Sequence, residues 1–310
     1  MEMRAVFGSI LDEMMEKNPK IVVLDADLAK ANGTLALRSK YPDRAFDVGV
    51  AEQNMASVAA GLASYGFVPF ISSFTPFASR RIADQAAISI SYAKMNVKIV
   101  GTDPGVAAEY NGGTHMSMED VSIMRSIPGI LVFEPVDAVQ LRAAMPAITE
   151  YGGPVYMRLF RKTAPDVFPE DYRFDLFKAD ILREGTDITI AASGIMVLES
   201  LKAAETLAQD GISAEVINFH TIKPLDEETL LASVKKTGCI VSAENHSTVG
   251  GLGSAIADAL IQEHPVPQRF VGVSDRFGIV GTLEPLKEYF GLTAEVIVEK
   301  AREAIARKKD

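Results

Sequence analysis

A single cysteine, Cys239, in 310 residues rules out an internal disulfide and any zinc site built on cysteines. Histidine is scarce as well: His115, His220, His246 and His264 are scattered, without a metal-ligand spacing such as His-Glu-x-x-His. Basic runs are missing apart from Arg307-Lys-Lys309. With 31 basic against 41 acidic side chains the net charge is −10, which argues against a nucleic-acid surface. No apolar run reaches the ~18 residues needed to cross a bilayer. The first residues lead into an amphipathic helix rather than the apolar core of a signal peptide. The expectations are no nucleic acid, no membrane and a cytoplasmic location. What is present, 48% hydrophobic and 23% charged, is an ordinary globular composition. Its length suits about two domains.

Apolar runs of strand length alternate with helical periodicity along the chain. Residues 20–27, Lys-Ile-Val-Val-Leu-Asp25-Ala-Asp27, form an apolar run ending in acids, as in a strand buried on both faces of a parallel sheet. Further strands are expected at 68–72, 97–102, 130–133 and 154–158. Helices are expected at 4–16, after Glu52, over 76–93 and 137–149, with a short one over 118–125. Residues 163–184, rich in charge and interrupted by Pro165 and Pro169, read as a linker with room for an edge hairpin. A second series starts at 187–192 and runs to a last helix over 294–308. Such alternation predicts an α/β fold of two doubly wound, mostly parallel-sheet domains, 1–162 and 185–310.

In open α/β sheets, function gathers at the carboxyl ends of strands, and three stretches fall there. In Asp47-Val-Gly-Val-Ala-Glu52-Gln53-Asn54-Met55, Glu52 opens a helix with apolar residues behind it. Such an acid can simply answer the helix dipole. In Ser72-Ser-Phe74-Thr-Pro-Phe77-Ala-Ser-Arg80-Arg81, two phenylalanines three apart suit core packing or a ligand shelf. Arg80 and Arg81 read by default as solvated helix-face charges, with contact to the partner or substrate as the alternative. In Asn111-Gly112-Gly113-Thr114-His115, a flexible loop carries one imidazole. A carboxylate, an aromatic pair and a titratable ring on one sheet edge together suggest a site.

Gly49-Val-Ala-Glu52-Gln53-Asn-Met resembles the glutamate motif of the thiamine-diphosphate-dependent transketolase family. Asn111-Gly-Gly-Thr114-His115-Met-Ser-Met-Glu119-Asp120 resembles its Asp-Gly-x-Thr-His-Gln loop. Phe219-His-Thr-Ile222-Lys-Pro-Leu225-Asp226, and Glu244-Asn-His246 followed by Gly250-Gly-Leu-Gly253, agree with the same family. The resemblance spans essentially the whole chain and is to the carboxyl-terminal half of transketolase, the pyrimidine-binding domain plus the C-terminal domain. It implies that Glu52 hydrogen-bonds N1′ of the aminopyrimidine of thiamine diphosphate, with burial raising its pKa. It implies that Phe74 and Phe77 pack on that ring, and that Asp27 and Leu28 lie near the thiazolium. His115 would move protons at the substrate, Asn111 would stand near it, and Arg4 and Arg158 would meet its phosphate, with surface or interface charges as the alternative for both arginines.

The family holds Mg²⁺ through a Gly-Asp-Gly motif in a separate amino-terminal domain, and this chain has no Gly-Asp-Gly. The resemblance therefore implies one subunit of a split enzyme, completed by an amino-terminal partner that supplies the Mg²⁺ ligands, in an α₂β₂ assembly acting on sugar phosphates. Asn111, Met116, Thr102 and Ala31 depart from the usual residues and point to an altered substrate. The rival readings are the beta subunit of a 2-oxo acid dehydrogenase E1 component and a 1-deoxyxylulose-phosphate-synthase-like enzyme. A regulatory or scaffold subunit retaining the fold is the reading outside catalysis. Asp25 reads as a strand-end cap, and His220 and His246 as structural.

Overall fold

The apolar runs become strands because their side chains are covered on both faces. A computed structural model describes residues 2–309. Its strands are β1 Ile21–Asp25, β2 Ala45–Asp47, β3 Val68–Phe74, β4 Lys98–Thr102, β5 Leu131–Phe133, β6 Val155–Leu159, β7 Asp180–Arg183, β8 Ile188–Ala192, β9 Ala214–Asn218, β10 Thr221–Lys223, β11 Ile240–Ser247 and β12 Gln268–Val273. Every residue of β1, β4, β5, β6, β8 and β9 is buried. The first sheet has the order β10-β5-β6-β4-β3-β1-β2 and the second β12-β11-β8-β9-β7. Both are parallel except for β10 on β5 and β7 on β9, which run antiparallel. The α/β class with two mostly parallel sheets is as the sequence predicts.

Two details depart from expectation. β10 belongs to the second half of the chain yet edges the first sheet, pairing Thr221 with Phe133. The halves are thus joined by a strand pairing as well as by side chains. The helix expected over 76–93 is instead a 3₁₀ turn, Arg80–Ile82, followed by a π-helix, Gln85–Tyr92. The wider winding shifts which side chains share a face, as π-bulges do near functional sites. No helix among the described residues is long and apolar enough to cross a membrane.

The order of strands fixes where a ligand fits. From β1 the chain passes to β2 on one side, then crosses through helix Glu52–Ser64 to β3 on the other. Connections leaving in opposite directions open a crevice above the carboxyl ends of β1 and β3. Helix Glu52–Ser64 lies on the sheet through Met55, Ala56, Ala59 and Ala60, all buried. Small side chains bring its axis close and set its first residue over that crevice.

Candidate active site

A cavity of about 330 Å³ lies in this crevice, lined by Ala26, Asp27, Leu28, Val50, Glu52, Phe74, Phe77, Arg81 and His115. Its floor is tied down by hydrogen bonds that follow from the strand ends. Buried Asp25 accepts from Asn32 Nδ2 at 3.0 Å and Thr34 Oγ1 at 2.6 Å. Asn32 Oδ1 in turn accepts from Thr102 Oγ1 at 3.0 Å. Burial raises the Asp25 pKa against the opposing pull of these donors. Asp27, at φ 63°, turns the chain out of β1, and its N–H donates to Asp47 Oδ1 at 3.1 Å. The same oxygen accepts from the Gly49 N–H at 2.8 Å. Asp47 thus joins the turn after β1 to the turn that delivers Glu52. Although burial opposes it, the N–H groups of Gly49 and Asp27 with Arg38 hold Asp47 below its ordinary pKa.

Glu52 is only 3% exposed. Stripping a carboxylate of water costs several kcal/mol unless charge and donors replace it. Arg81 does so, its Nη1 donating to Oε1 at 2.8 Å and Oε2 at 2.7 Å, with Ser73 Oγ at 3.5 Å. The Arg81 guanidinium also lies over the Phe77 ring, 3.9 Å from its centroid. Phe77 and Arg81 are four apart, the spacing at which side chains meet on a helical turn. Two expectations are corrected here. Glu52 is not shut among apolar groups alone, and Arg81, although partly in solvent, is not a free helix-face charge but ends on Glu52. Arg80 differs in its partner: it pairs at 2.5 Å with Glu119, an acid itself partly exposed.

The aromatic pair and the imidazole meet at the same place. Phe74 and Phe77 have centroids 6.4 Å apart, and the His115 ring meets each edge-on, at 5.9 and 5.2 Å. His115 Nδ1 lies 2.8 Å from Thr114 Oγ1, which leaves Nε2 free of a protein partner among the described hydrogen bonds. Asp27, Leu28, Phe74, Phe77, Glu52 and His115 are therefore brought together. Asn111 is exposed at the end of the 3₁₀ turn Gly105–Asn111 and stands outside the cavity lining. Arg4 is also outside it, paired with Glu2 at 2.7 Å.

Arg158 is corrected outright as a phosphate contact. It is wholly buried and spends its donors on protein. Nε and Nη2 donate to Asp120 at 2.7 and 3.2 Å, Nη1 to Glu134 at 2.8 Å, and Nη2 to the Asn245 carbonyl at 2.9 Å. It is a tie between the two domains. Nearer the site is Arg161, its guanidinium 5.2 Å from the Phe74 centroid and paired with Asp103 at 2.5 Å, although it too stands outside the cavity lining. Burial pushes Asp103 up to about 6 against the pull of Arg161. Arg158 lies within β6, whereas Arg161 lies just past its end at the ligand-bearing edge. The rule of strand ends, applied to arginines, would have selected it.

The other residues read as structural stay so. His220 lies 2.8 Å from the Lys178 carbonyl, and burial lowers its pKa to about 4. Glu244 accepts from the N–H groups of Leu252 and Gly253 at 2.7 and 2.9 Å, capping the helix behind Gly250-Gly-Leu-Gly253.

Residues 1–166 match the transketolase pyrimidine-binding domain family and residues 177–297 the transketolase C-terminal domain family. The chain is 57% identical over 306 residues to a 6-deoxy-6-sulfo-D-fructose transketolase subunit of Clostridium sp. (strain MSTE9), covering 99% of this chain and 95% of that one. It is 34% identical to an apulose-4-phosphate transketolase subunit of Phocaeicola vulgatus, covering 98% and 97%. Among solved structures, one described as a split-gene transketolase, inactive β4 tetramer, superposes with a TM-score of 0.91 at 43% identity, covering 99% of both chains.

Proposed function

The chain belongs to the transketolase family, and from that premise we propose that it is the pyrimidine-binding subunit of a split, thiamine-diphosphate-dependent transketolase. In this reading it joins an amino-terminal subunit as α₂β₂, and the pair transfers a two-carbon ketol unit from an anionic ketose to an aldose. The observation that carries the reading is one cavity in which a buried carboxylate, two phenylalanines and an imidazole converge. A flat heteroaromatic with a hydrogen-bonding nitrogen fits such a place: the phenyl rings replace water on its faces and the carboxyl meets its edge. The donor set suits an aminopyrimidine.

When bound, thiamine diphosphate supplies the electron sink for carbon–carbon cleavage and formation. The chain's own residues do the rest. Glu52 would hold a proton at the pyrimidine N1′ once Arg81 moves aside. Phe74, Phe77 and Leu28 exclude water from the rings. His115 gives and takes a proton at the substrate's carbonyl or hydroxyl oxygen. Arg161 holds the anionic end of the sugar. The amino-terminal subunit supplies the Mg²⁺ ligands and diphosphate contacts. The inactive β4 assembly of the split-gene relative supports a chain that needs this partner.

The donor's anion is either a phosphate or a sulfonate, since a guanidinium pairs with both. A sulfonated ketose is favoured by the sulfofructose-acting relative at 57% identity. The test is reconstitution with the amino-terminal subunit, thiamine diphosphate and Mg²⁺, assaying ketol transfer from 6-deoxy-6-sulfofructose and from phosphorylated ketoses. Transfer that needs both chains supports the reading, and the better donor names the anion. Turnover of a 2-oxo acid with a lipoyl acceptor, or of pyruvate with an aldehyde phosphate, replaces it by one of the rival enzymes.

A further inference from the structure

The segment that delivers His115 follows a path its own sequence does not favour. Leaving β4, it enters the left-handed region at Asp103 (φ 55°), Gly105 (φ 53°), Glu109 (φ 48°) and Gly112 (φ 73°). For Asp103 and Glu109, which carry a Cβ, this conformation is costly and persists only where the surroundings impose it. Two grips from the second domain do so. At the root of the segment is Asn245 of β11, wholly buried. Its Nδ2 donates to the Pro104 carbonyl at 2.8 Å, and its Oδ1 accepts from the Val106 N–H at 3.0 Å. One side-chain amide thus satisfies the backbone on both sides of Gly105. The fit is close: a Cβ on Gly105 would stand 2.2 Å from Asn245 Oδ1. At the tip, a Cβ on Gly113 would stand 2.3 Å from the Gly278 carbonyl oxygen, so two glycine backbones touch there. Neither Asn245 nor Gly278 lines the cavity that holds Glu52 and His115.

We infer that Asn245 is a positioning residue for His115, the point through which the C-terminal domain sets the substrate-side half of the active site. The kinetic part of this inference rests on the ketol-transfer reading, and the structural part does not. Its physical basis is that proton transfer needs the imidazole within hydrogen-bond reach of the sugar oxygen. A displacement of about 1 Å far from the chemistry can cost about 10²-fold in rate. Arg158 in turn holds the Asn245 carbonyl, so the seam between the domains and the catalytic loop form one hydrogen-bonded chain.

The test uses Asn245→Ala, and Asn245→Asp as the near-isosteric variant that keeps an acceptor for Val106 and loses the donor to Pro104. In the full chain alone, amide hydrogen exchange over residues 106–116 is expected to quicken at least about tenfold, with β1 and β8 unchanged. In the complex reconstituted with the amino-terminal subunit, kcat is expected to fall at least about tenfold. Cofactor affinity and the rate of hydrogen exchange at the thiamine C2, which depend on the Glu52 side, are expected to stay within about twofold. The loss is expected to vanish in a His115→Ala background, because residues acting as one unit are not additive. Unchanged loop exchange, additive losses, or a parallel fall in C2 exchange each overturn the inference. A wild-type complex without ketol transfer overturns the reading of the site, and loop exchange then decides on Asn245 by itself.

Discussion

Arg81 and Arg158 each pair with buried carboxylates in the same half of the molecule, but they lie in opposite settings. Arg81 reaches Glu52 with a side chain 41% exposed, resting on one face of Phe77. Arg158 is 0% exposed and is bound by Asp120, Glu134 and a backbone carbonyl. Water can replace the first arginine if it swings away, so Glu52 remains available to a ligand. No water reaches the second, and its departure would strand two acids in the seam between the domains. The exposure of the cation, more than that of the acid, separates a site from a tie.

The largest expected effect lies on the Glu52 side. Glu52→Gln keeps the shape and the hydrogen bond but cannot hold the proton at N1′. Ketol transfer by the reconstituted complex is expected to fall about 10²–10⁴-fold, while the chain's thermal midpoint stays near wild type. Activity retained in this variant would take Glu52 out of the chemistry. Next comes the seam. Arg158→Met leaves Asp120 and Glu134 buried without their partner, a loss of about 3–5 kcal/mol for a broken buried pair, read by urea unfolding of the isolated chain. If this variant unfolds like wild type and instead raises KM for the donor, Arg158 returns to the substrate and the comparison fails.

A pH dependence sharpens the seam further. His246 is wholly buried, beside Glu244 at 3.7 Å, and its Nε2 accepts the Ser122 N–H at 3.4 Å. Burial lowers its pKa from 6.5 to about 4. The folded chain therefore keeps His246 neutral while the unfolded chain takes up a proton near pH 6.5. Its contribution to stability is complete above that pH and is lost as pH falls from 6.5 to about 4. The shift of 6.5 − 4 = 2.5 corresponds to about 3 kcal/mol. In His246→Gln this loss is absent, so the variant gains on wild type by up to that amount across the window. Glu244, which burial pushes up to about 7, titrates with the opposite sign and is common to both proteins. Urea titrations at pH 7, 5.5 and 4 measure the difference, and parallel curves would show that His246 is not held neutral.

Most of the scaffold is legible in the sequence because a strand buried on both faces must be a continuous apolar run. The run before Asp25 and that of 188–192 could hardly be anything else. The site is legible where a motif sits at a strand end, as for Glu52, Phe74, Phe77 and His115. Other features were not legible, each for a physical cause. β10 is three residues long and crosses to the other sheet, so no period announces it. Arg158 and Arg161 look alike in a string, and only their position relative to the end of β6 tells a buried tie from an arginine at the carboxyl edge of the sheet. Arg81 carried a signal, its spacing of four from Phe77, but the π-helix beyond it breaks the face on which that spacing would be judged. Asn245 sits inside the motif Glu244-Asn-His246, but nothing in the string ties it to the loop, because its partners Pro104 and Val106 lie about 140 residues away.

The smallest effect tests the other arm of the comparison. While Arg81 is closed on Glu52, an aminopyrimidine cannot reach the carboxylate, so only the open fraction binds. Apparent affinity is reduced by that fraction. A half-exposed ion pair is worth about 1 kcal/mol at most, which leaves about one chain in six open. Arg81→Gln removes the competition and is expected to tighten thiamine diphosphate binding by the reconstituted complex up to about sixfold, measured by calorimetry at low salt. Added salt should shrink the gap, because screening opens the wild-type pair and leaves the variant unchanged. Weaker binding in Arg81→Gln would mean that the guanidinium moves aside only to contact the cofactor. Arg81 would then be a binding residue, and the contrast with Arg158 would lie in the choice of ligand rather than in freedom to leave.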